Sequence, residues 1–284
     1  MALSVSIDIG GSQLRFGLVQ DCKIVKFSVQ QTPSKREDFQ EVLISKTKEL
    51  LAYAGEEYKR HKISHIGVST IGPADYKQGI IMHPHNLPFL KEFNIKRLLS
   101  ILKLPIKVEN DANCFALAQA VLDKNPSRKN VFGVTLGTGI GGGLCIDEKI
   151  YKGRGNAGEI GHWSYGDKRF EDEFQRIKEE YAKKLKVEDF QGVGKAAKKG
   201  NKVALEGFQR IGTLIGELSR NIILAYDPDV IVFGGGLSYS WSLLKRHIIR
   251  AIKKRNGLIA KRPIIKRNTI PKANLLGASL LTKY

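Results

Sequence analysis

The sequence predicts an α/β protein of two related lobes, and three observations carry that expectation. One β-hairpin pattern occurs twice, strands and helices alternate after each copy, and 284 residues of 42% hydrophobic content can fill two cores of ordinary size. The repeat is the most specific of these. Gly11-Ser12, Gly17-Leu18, Lys23-Ile24 and Lys26 recur as Gly137-Thr138, Gly143-Leu144, Lys149-Ile150 and Lys152, every pair 126 positions apart. In each copy an alternating apolar run enters a Gly-plus-hydroxyl turn, leaves as a second run and crosses a polar turn. Glycines let backbone N–H groups converge on an anion and the neighbouring Ser or Thr adds a hydroxyl, so two such turns suggest two lobes gripping one polyphosphate.

Taken in order, Val5 to Ile9, Gln13 to Gln20 and Lys23 to Gln30 alternate as a three-strand meander. A helix follows over Ser34 to Arg60, introduced by Pro33 and free of internal proline. Ile63 to Ile71 and Pro105 to Glu109 read as strands ending at Gly72-Pro73 and Asn110-Asp111, and Ala- and Leu-rich sequence makes Asp111 to Leu122 a helix, broken at Asn125-Pro126. The second meander runs from Asn130 to Lys152, and Arg154 to Gly166 is a polar, Gly-rich loop. Residues 171 to 226 are expected to be helical with interruptions near Gly192-Val193-Gly194 and Gly200. A buried strand, Val230 to Phe233, runs into Gly234, Gly235 and Gly236; a basic helix, a short strand at Ile264-Ile265 and a helix from Lys272 to Lys283 follow.

Composition excludes several classes. No stretch approaches the ~20 consecutive apolar residues of a membrane span, and the N-terminal residues lack the pattern of an export signal. Cys22, Cys114 and Cys145 are few, odd in number and widely spaced, which fits a reducing cytoplasm and offers neither a disulfide framework nor a Cys-x-x-Cys metal site. The net charge of +19 is unevenly placed: no Asp or Glu follows Asp229, while 12 Lys and Arg do. Such a stretch suits either a polyanion or a solvated helix face. The second reading is preferred, because no nucleic-acid motif or aromatic interleaving accompanies the charge, and no specific nucleic-acid partner is expected.

Asp111 follows an apolar strand, and an Asp in front of Ala112 to Ala120 suits a helix N-cap. DIGGS by itself fits a tight strand turn as well as a phosphate loop, and His162 by itself fits a structural hydrogen bond.

Eight collinear segments resolve these ambiguities: DIGGSQLRFGLV (8–19), GPAD (72–75), HNLPF (85–89), ENDANC (109–114), LGTGIGGG (136–143), GNAGEIGH (155–162), DPDVIVFGGG (227–236) and LLGASL (275–280). Together they resemble the ROK family of sugar kinases within the actin and hexokinase superfamily. The resemblance implies a two-lobed actin-like ATPase (ribonuclease H-like) fold with an interlobe cleft. Its lobes would be residues 1–112 plus 272–284 and 113–271, the final helix packing back on the first. It implies ATP and Mg²⁺, with Asp8 holding the metal through water and Gly10, Gly11 and Ser12 facing the terminal phosphates. Gly137, Thr138 and Gly139 would cover those phosphates, and Gly234 to Gly236 would lie beside the adenosine. It further implies Asp111 as general base, and Asn86, Asn110, Glu159 and His162 as sugar contacts. The activity expected is an ATP-dependent hexose kinase making the 6-phosphate of glucose or several hexoses. Fructose, N-acetylmannosamine or a polyphosphate donor are the alternatives, and a catalytically idle sugar sensor with a basic, nucleic-acid-associated tail is the rival from another class. Family members are often oligomers, so a homo-oligomer is a further expectation. Family repressors carry a helix-turn-helix ahead of the first loop; with that loop at Asp8, no such element is expected here.

The resemblance breaks after His162. Most family members carry a Cys-x-Cys-Gly-x-x-Gly-Cys-x-Glu segment whose cysteines bind zinc together with that His. Here residues 163–174 read WSYGDKRFEDEF, without cysteine. Carboxylates and one His do not make the soft tetrahedral site zinc prefers, so no structural zinc is expected and another hydrogen bond must orient His162. Phe170-Glu171 resembles the end of the family segment, which makes Glu171 the expected sugar contact and Glu173 the fallback.

Overall fold

The computed structural model describes residues 3–84, 87–123, 129–254 and 261–283. Asn86, one of the expected sugar contacts, lies outside them. The chain divides into two compact units, Met1–Lys124 with Lys152–Gly155 and Ile270–Tyr284, and Asn125–Tyr151 with Asn156–Thr269. The first unit therefore continues past Asp111 through the following helix.

In the first unit the meander β1 (Leu3–Ile9), β2 (Gln13–Gln20) and β3 (Lys23–Gln31) is followed by α1 (Arg36–Glu57), β4 (Ile63–Thr70), β5 (Ala74–Asp75), β6 (Ile80–Ile81), β7 (Phe93–Asn94), α2 (Ile95–Leu99), β8 (Ile106–Asn110) and α3 (Asp111–Leu122). The main sheet has the order β3-β2-β1-β4-β8, antiparallel within the meander and parallel beyond it. In the second unit β9 (Val131–Leu136), β10 (Ile140–Ile146) and β11 (Lys149–Ile150) lead through the hairpin of β12 (Ser164–Tyr165) and β13 (Lys168–Arg169) to α4 (Phe170–Leu185), α5 (Phe190–Lys198) and α6 (Lys202–Tyr226). β14 (Val230–Gly234), α7 (Trp241–Lys253) and β15 (Ile264–Arg267) complete it, and its sheet order, β11-β10-β9-β14-β15, repeats the first position for position. α8 (Ala273–Ser279) returns to the first unit. The duplication read from two turns thus extends to the whole sheet.

Alternation along β1 explains where α8 sits. Leu3, Val5, Ile7 and Ile9 occupy one face and join the apolar core with Phe16, Phe39 and Leu43, while Ser4, Ser6 and Asp8 occupy the other. Ser6 is paired with Gly17 on one side and Gly67 on the other, a row of small residues across three strands. α8 lies on that row: a Cβ on Gly17 would collide with Leu275, and one on Gly67 with the Ala278 carbonyl. Gly277, on the same helix, packs against the Cys114 backbone of α3.

The helical interruption expected at Gly192-Val193-Gly194 falls elsewhere. Those residues lie inside α5, and the break occurs where Lys186 turns left-handed (φ 53°) and Asp189 caps the new helix by accepting from the Gly192 N–H at 3.0 Å. Gly192 instead permits close packing, since a Cβ there would collide with the Val187 side chain. α8 ends at Ser279 and a 3-10 turn covers 281–283, so the expected single helix is two pieces. On α7, Leu244, Ile248, Ala251 and Ile252 are buried while Lys245, Arg246, Arg250 and Lys253 are exposed. Among the described residues, no helix is long and apolar enough to cross a membrane.

Candidate active site

In the first unit the glycine turn follows β1. Its Gly10 N–H donates to the Gln13 carbonyl at 3.0 Å, and Thr32 ties it down by donating its hydroxyl to the Gly10 carbonyl (2.8 Å) and its N–H to that of Ser12 (3.1 Å). Four residues separate paired Ile9 and Leu14, whereas three separate Leu136 and Ile140, so the 126-residue offset holds for the outgoing strand and slips by one on the incoming strand. Asp8 is buried, and its two cross-strand neighbours hold it: Ser69 donates to Oδ1 at 2.8 Å and Arg15 Nη1 to Oδ2 at 2.9 Å. Magnesium takes few protein carboxylates and keeps several waters, and a single oriented carboxylate beside a glycine turn fits that demand.

β8 runs directly into α3, and the junction divides its labour among three residues. Asn110 is the N-cap; its Oδ1 accepts from the N–H groups of Ala112 (2.8 Å) and Asn113 (3.3 Å), and its Nδ2 donates to the Tyr76 hydroxyl at 3.0 Å. Asp111 is the first helical residue, and its Oδ1 shares the Ala112 N–H at 2.8 Å. Glu109, 1% exposed, accepts from the Asn110 N–H and Asn113 Nδ2, both at 3.0 Å, and faces Lys152 Nζ at 2.5 Å. A buried carboxylate requires such a partner, and the repeat supplies it: Lys152 is the counterpart of Lys26. Burial raises the Cys114 thiol well above its usual value, and the charges of Glu109, Asp8 and Asp111 raise it further.

In the second unit Gly137, Thr138 and Gly139 form the other turn, closed by the Gly137 N–H on the Gly139 carbonyl at 3.0 Å. α4 holds it from one face. Lys178 Nζ donates to the carbonyls of Gly137 (3.2 Å) and Thr138 (3.1 Å), and Gln175 Nε2 also donates to Thr138. Burial pulls the Lys178 ammonium below the ordinary lysine value, opposed first by the charge of Glu171. Glu171, one helical turn before Gln175, packs its carboxylate against both Gly139 and Gly161, where any Cβ would meet it. Glu173 points elsewhere: Arg176 Nε donates to its Oε2 at 2.7 Å and Arg210 lies 3.6 Å from Oε1. Gly235, at φ 80°, packs against the backbone of Leu136, so the triple-glycine turn borders the base of the Gly137 turn.

His162 closes a 3-10 turn after Glu159, with Nε2 3.8 Å from Glu159 Oε2. Its Nδ1 faces Arg169 Nη1 at 3.1 Å. Three residues here escaped sequence reasoning: Lys152 as the partner of Glu109, Lys178 and Arg169. Lys152 stood in the repeat as the counterpart of Lys26 without its partner being legible, and Lys178 left a signal because Glu171, Gln175 and Lys178 fall at i, i+4 and i+7 on one helix face. Among the described residues, no group of three or more His, Cys, Asp or Glu side chains could hold a metal ion.

Duplicated mixed sheets, paired glycine turns and a carboxylate at the start of α3 define the actin-like α/β class. The chain belongs to the ROK family, whose model matches residues 4–175 and 172–284. It is 30% identical over 305 aligned positions to an N-acetyl-D-glucosamine kinase of Vibrio cholerae serotype O1, covering 96% of this chain and 97% of that one. A ROK hexokinase from Thermus thermophilus superposes with a TM-score of 0.82 at 25% identity over 98% of this chain and 97% of the other. A ROK family glucokinase from Streptomyces griseus, solved with glucose and AMPPNP, has the same fold (TM-score 0.79, 24% identity, 98% of each chain).

Proposed function

We propose that this protein is an ATP-dependent sugar kinase that phosphorylates the 6-hydroxyl of a hexose, with Asp111 as general base. The position of Asp111 carries the reading. Asn110 serves as the N-cap, so Asp111 stands at the first position inside α3, where the helix dipole attracts negative charge. In the transfer, Asp111 accepts the proton of the attacking hydroxyl while the Gly10–Ser12 and Gly137–Gly139 turns face the donor phosphates, with N–H groups other than those of Gly10 and Gly137, which close the turns themselves. Asn110, Glu159, His162 and Glu171, with Asn86, hydrogen-bond the sugar hydroxyls, and Gly234–Gly236 lies beside the adenosine. Magnesium, when bound, neutralises charge on the donor phosphates, and Asp8 is the residue that would hold it, through water.

Glucose and N-acetylhexosamines head the acceptor panel, the latter because the Vibrio cholerae relative is an N-acetyl-D-glucosamine kinase. A coupled assay of glucose, N-acetylglucosamine, N-acetylmannosamine and fructose, each with ATP or inorganic polyphosphate, tests the reading. One acceptor is expected to turn over with ATP, and Asp111→Ala is expected to lower kcat by about 10³-fold while sugar binding, measured by calorimetry, persists. Turnover unchanged in Asp111→Ala overturns the base assignment.

A further inference from the structure

In the structure the place of the family's zinc segment is taken by the hairpin β12–β13, turned at Gly166 (φ 64°), with Ser164 paired to Arg169. The hairpin's root is anchored by Trp163 stacked on Tyr226 (centroids 6.2 Å apart) and by Tyr165 against Phe170 (5.0 Å). Its register returns the chain to His162 seven residues on, with Arg169 as the N-cap of α4. The guanidinium is then gripped from one side. Arg169 Nε donates to Asp172 Oδ2 at 2.9 Å and Nη2 to Oδ1 at 2.6 Å, a bidentate fork, and the Arg169 backbone N–H donates to Oδ2 at 3.1 Å. The hydrogen bond from the guanidinium, then that backbone N–H, holds the Asp172 carboxyl at about 2. The remaining nitrogen, Nη1, meets His162 Nδ1 at 3.1 Å.

A guanidinium can only donate, so Nδ1 accepts and the ring hydrogen sits on Nε2, toward Glu159. A cation already faces Nδ1, and the neighbouring side chains are an arginine and carboxylates, a donor set that does not fit zinc.

We infer that the Arg169–Asp172 pair is a positioning device for His162, a hydrogen-bonded substitute for the zinc site. It fixes the ring's orientation and tautomer so that Nε2–H is presented, beside Glu159, to a sugar hydroxyl. The inference rests on the sugar-kinase reading for its substrate, but the ring geometry stands independently of activity.

The test uses the full chain with ¹⁵N-labelled histidine. In the wild type the His162 Nδ1 resonance is expected where a nitrogen accepting a hydrogen bond falls, and Arg169→Met moves it to the position of an unbonded ring nitrogen, while the buried His65 and His247 signals stay in place and report an intact fold. Arg169→Met is expected to raise KM for the sugar about fivefold or more, leaving KM for ATP and the acceptor preference unchanged. Arg169→Lys, which keeps the charge but loses the fork, recovers only part of that. An unmoved His162 resonance, equal changes in both KM values, or stoichiometric zinc in the purified wild type overturns the inference. If no sugar turns over, the kinase reading fails and the resonance alone decides the role of Arg169.

Discussion

Gly277→Ala places a methyl group between two backbones. Built on the glycine, the new Cβ collides with the Cys114 carbonyl oxygen and lies 2.5 Å from its carbon and 2.8 Å from Cα, where ordinary contact begins near 3.4 Å. Backbone cannot swing aside as a side-chain tip can, so α8 and α3 must part by about 1 Å, which also forfeits a quarter to a half of the dispersion energy of each contact between them. Overpacking costs about 1–3 kcal/mol, and with main chain on both sides we expect about 3. That lowers Tm by roughly 6–12 °C for a protein of this size. Cys114 is one helical turn from Asp111, so the displaced helix carries the base with it, and a ~1 Å misplacement is worth roughly 10² in kcat. Circular-dichroism melting and the coupled assay, run well below the variant's Tm, measure both effects. A Tm equal to wild type refutes the packing argument, and a lowered Tm with unchanged kcat refutes the link from α8 to Asp111.

Two further outcomes follow from the same geometry. Lys178→Met removes two hydrogen bonds to the Gly137-Thr138 turn, and KM for ATP is expected to rise about tenfold with KM for the sugar unchanged, the reverse of the Arg169 pattern; equal shifts in both would refute it. His65 is buried between the Ser64 hydroxyl (2.9 Å) and the Ala278 carbonyl (3.5 Å), and burial lowers its pKa, opposed by the bond to Ala278 and aided by Lys107. Below about pH 6.5 the unfolded chain therefore takes up a proton that the folded one refuses. The contribution to stability is complete above that pH and is lost as pH falls toward the depressed folded value. Melting midpoints should decline from pH 7 to 5, and less steeply in His65→Gln; equal slopes would refute this.

What the sequence disclosed followed physical periodicity. Alternation and Gly-hydroxyl turns give both meanders within a residue or two, because a strand's faces and a turn's backbone are written locally. β5, β6 and β7 escaped, since two residues cannot alternate legibly, and the break at Lys186 escaped because a left-handed lysine carries no signature. Asp111 was legible as a helix start, but whether it or Asn110 capped the helix depended on one residue of register. Arg169 meets His162 only through the pairing of Ser164 with Arg169, and Lys152 meets Glu109 across 43 positions. Such partners are set by tertiary structure.

The seat of α8 also sets an order of assembly during synthesis. The small-residue row of Gly17, Ser6 and Gly67 and the Cys114 face of α3 receive α8 from the segment Ile270–Tyr284, and the chain between Gly155 and Ile270 belongs to the second unit. At roughly 5–20 residues per second the ribosome needs on the order of ten seconds for that stretch. For that interval the nascent first unit has its sheet but not its closing helix. The second unit is complete before the first, and the half that carries Asp111 closes only afterwards.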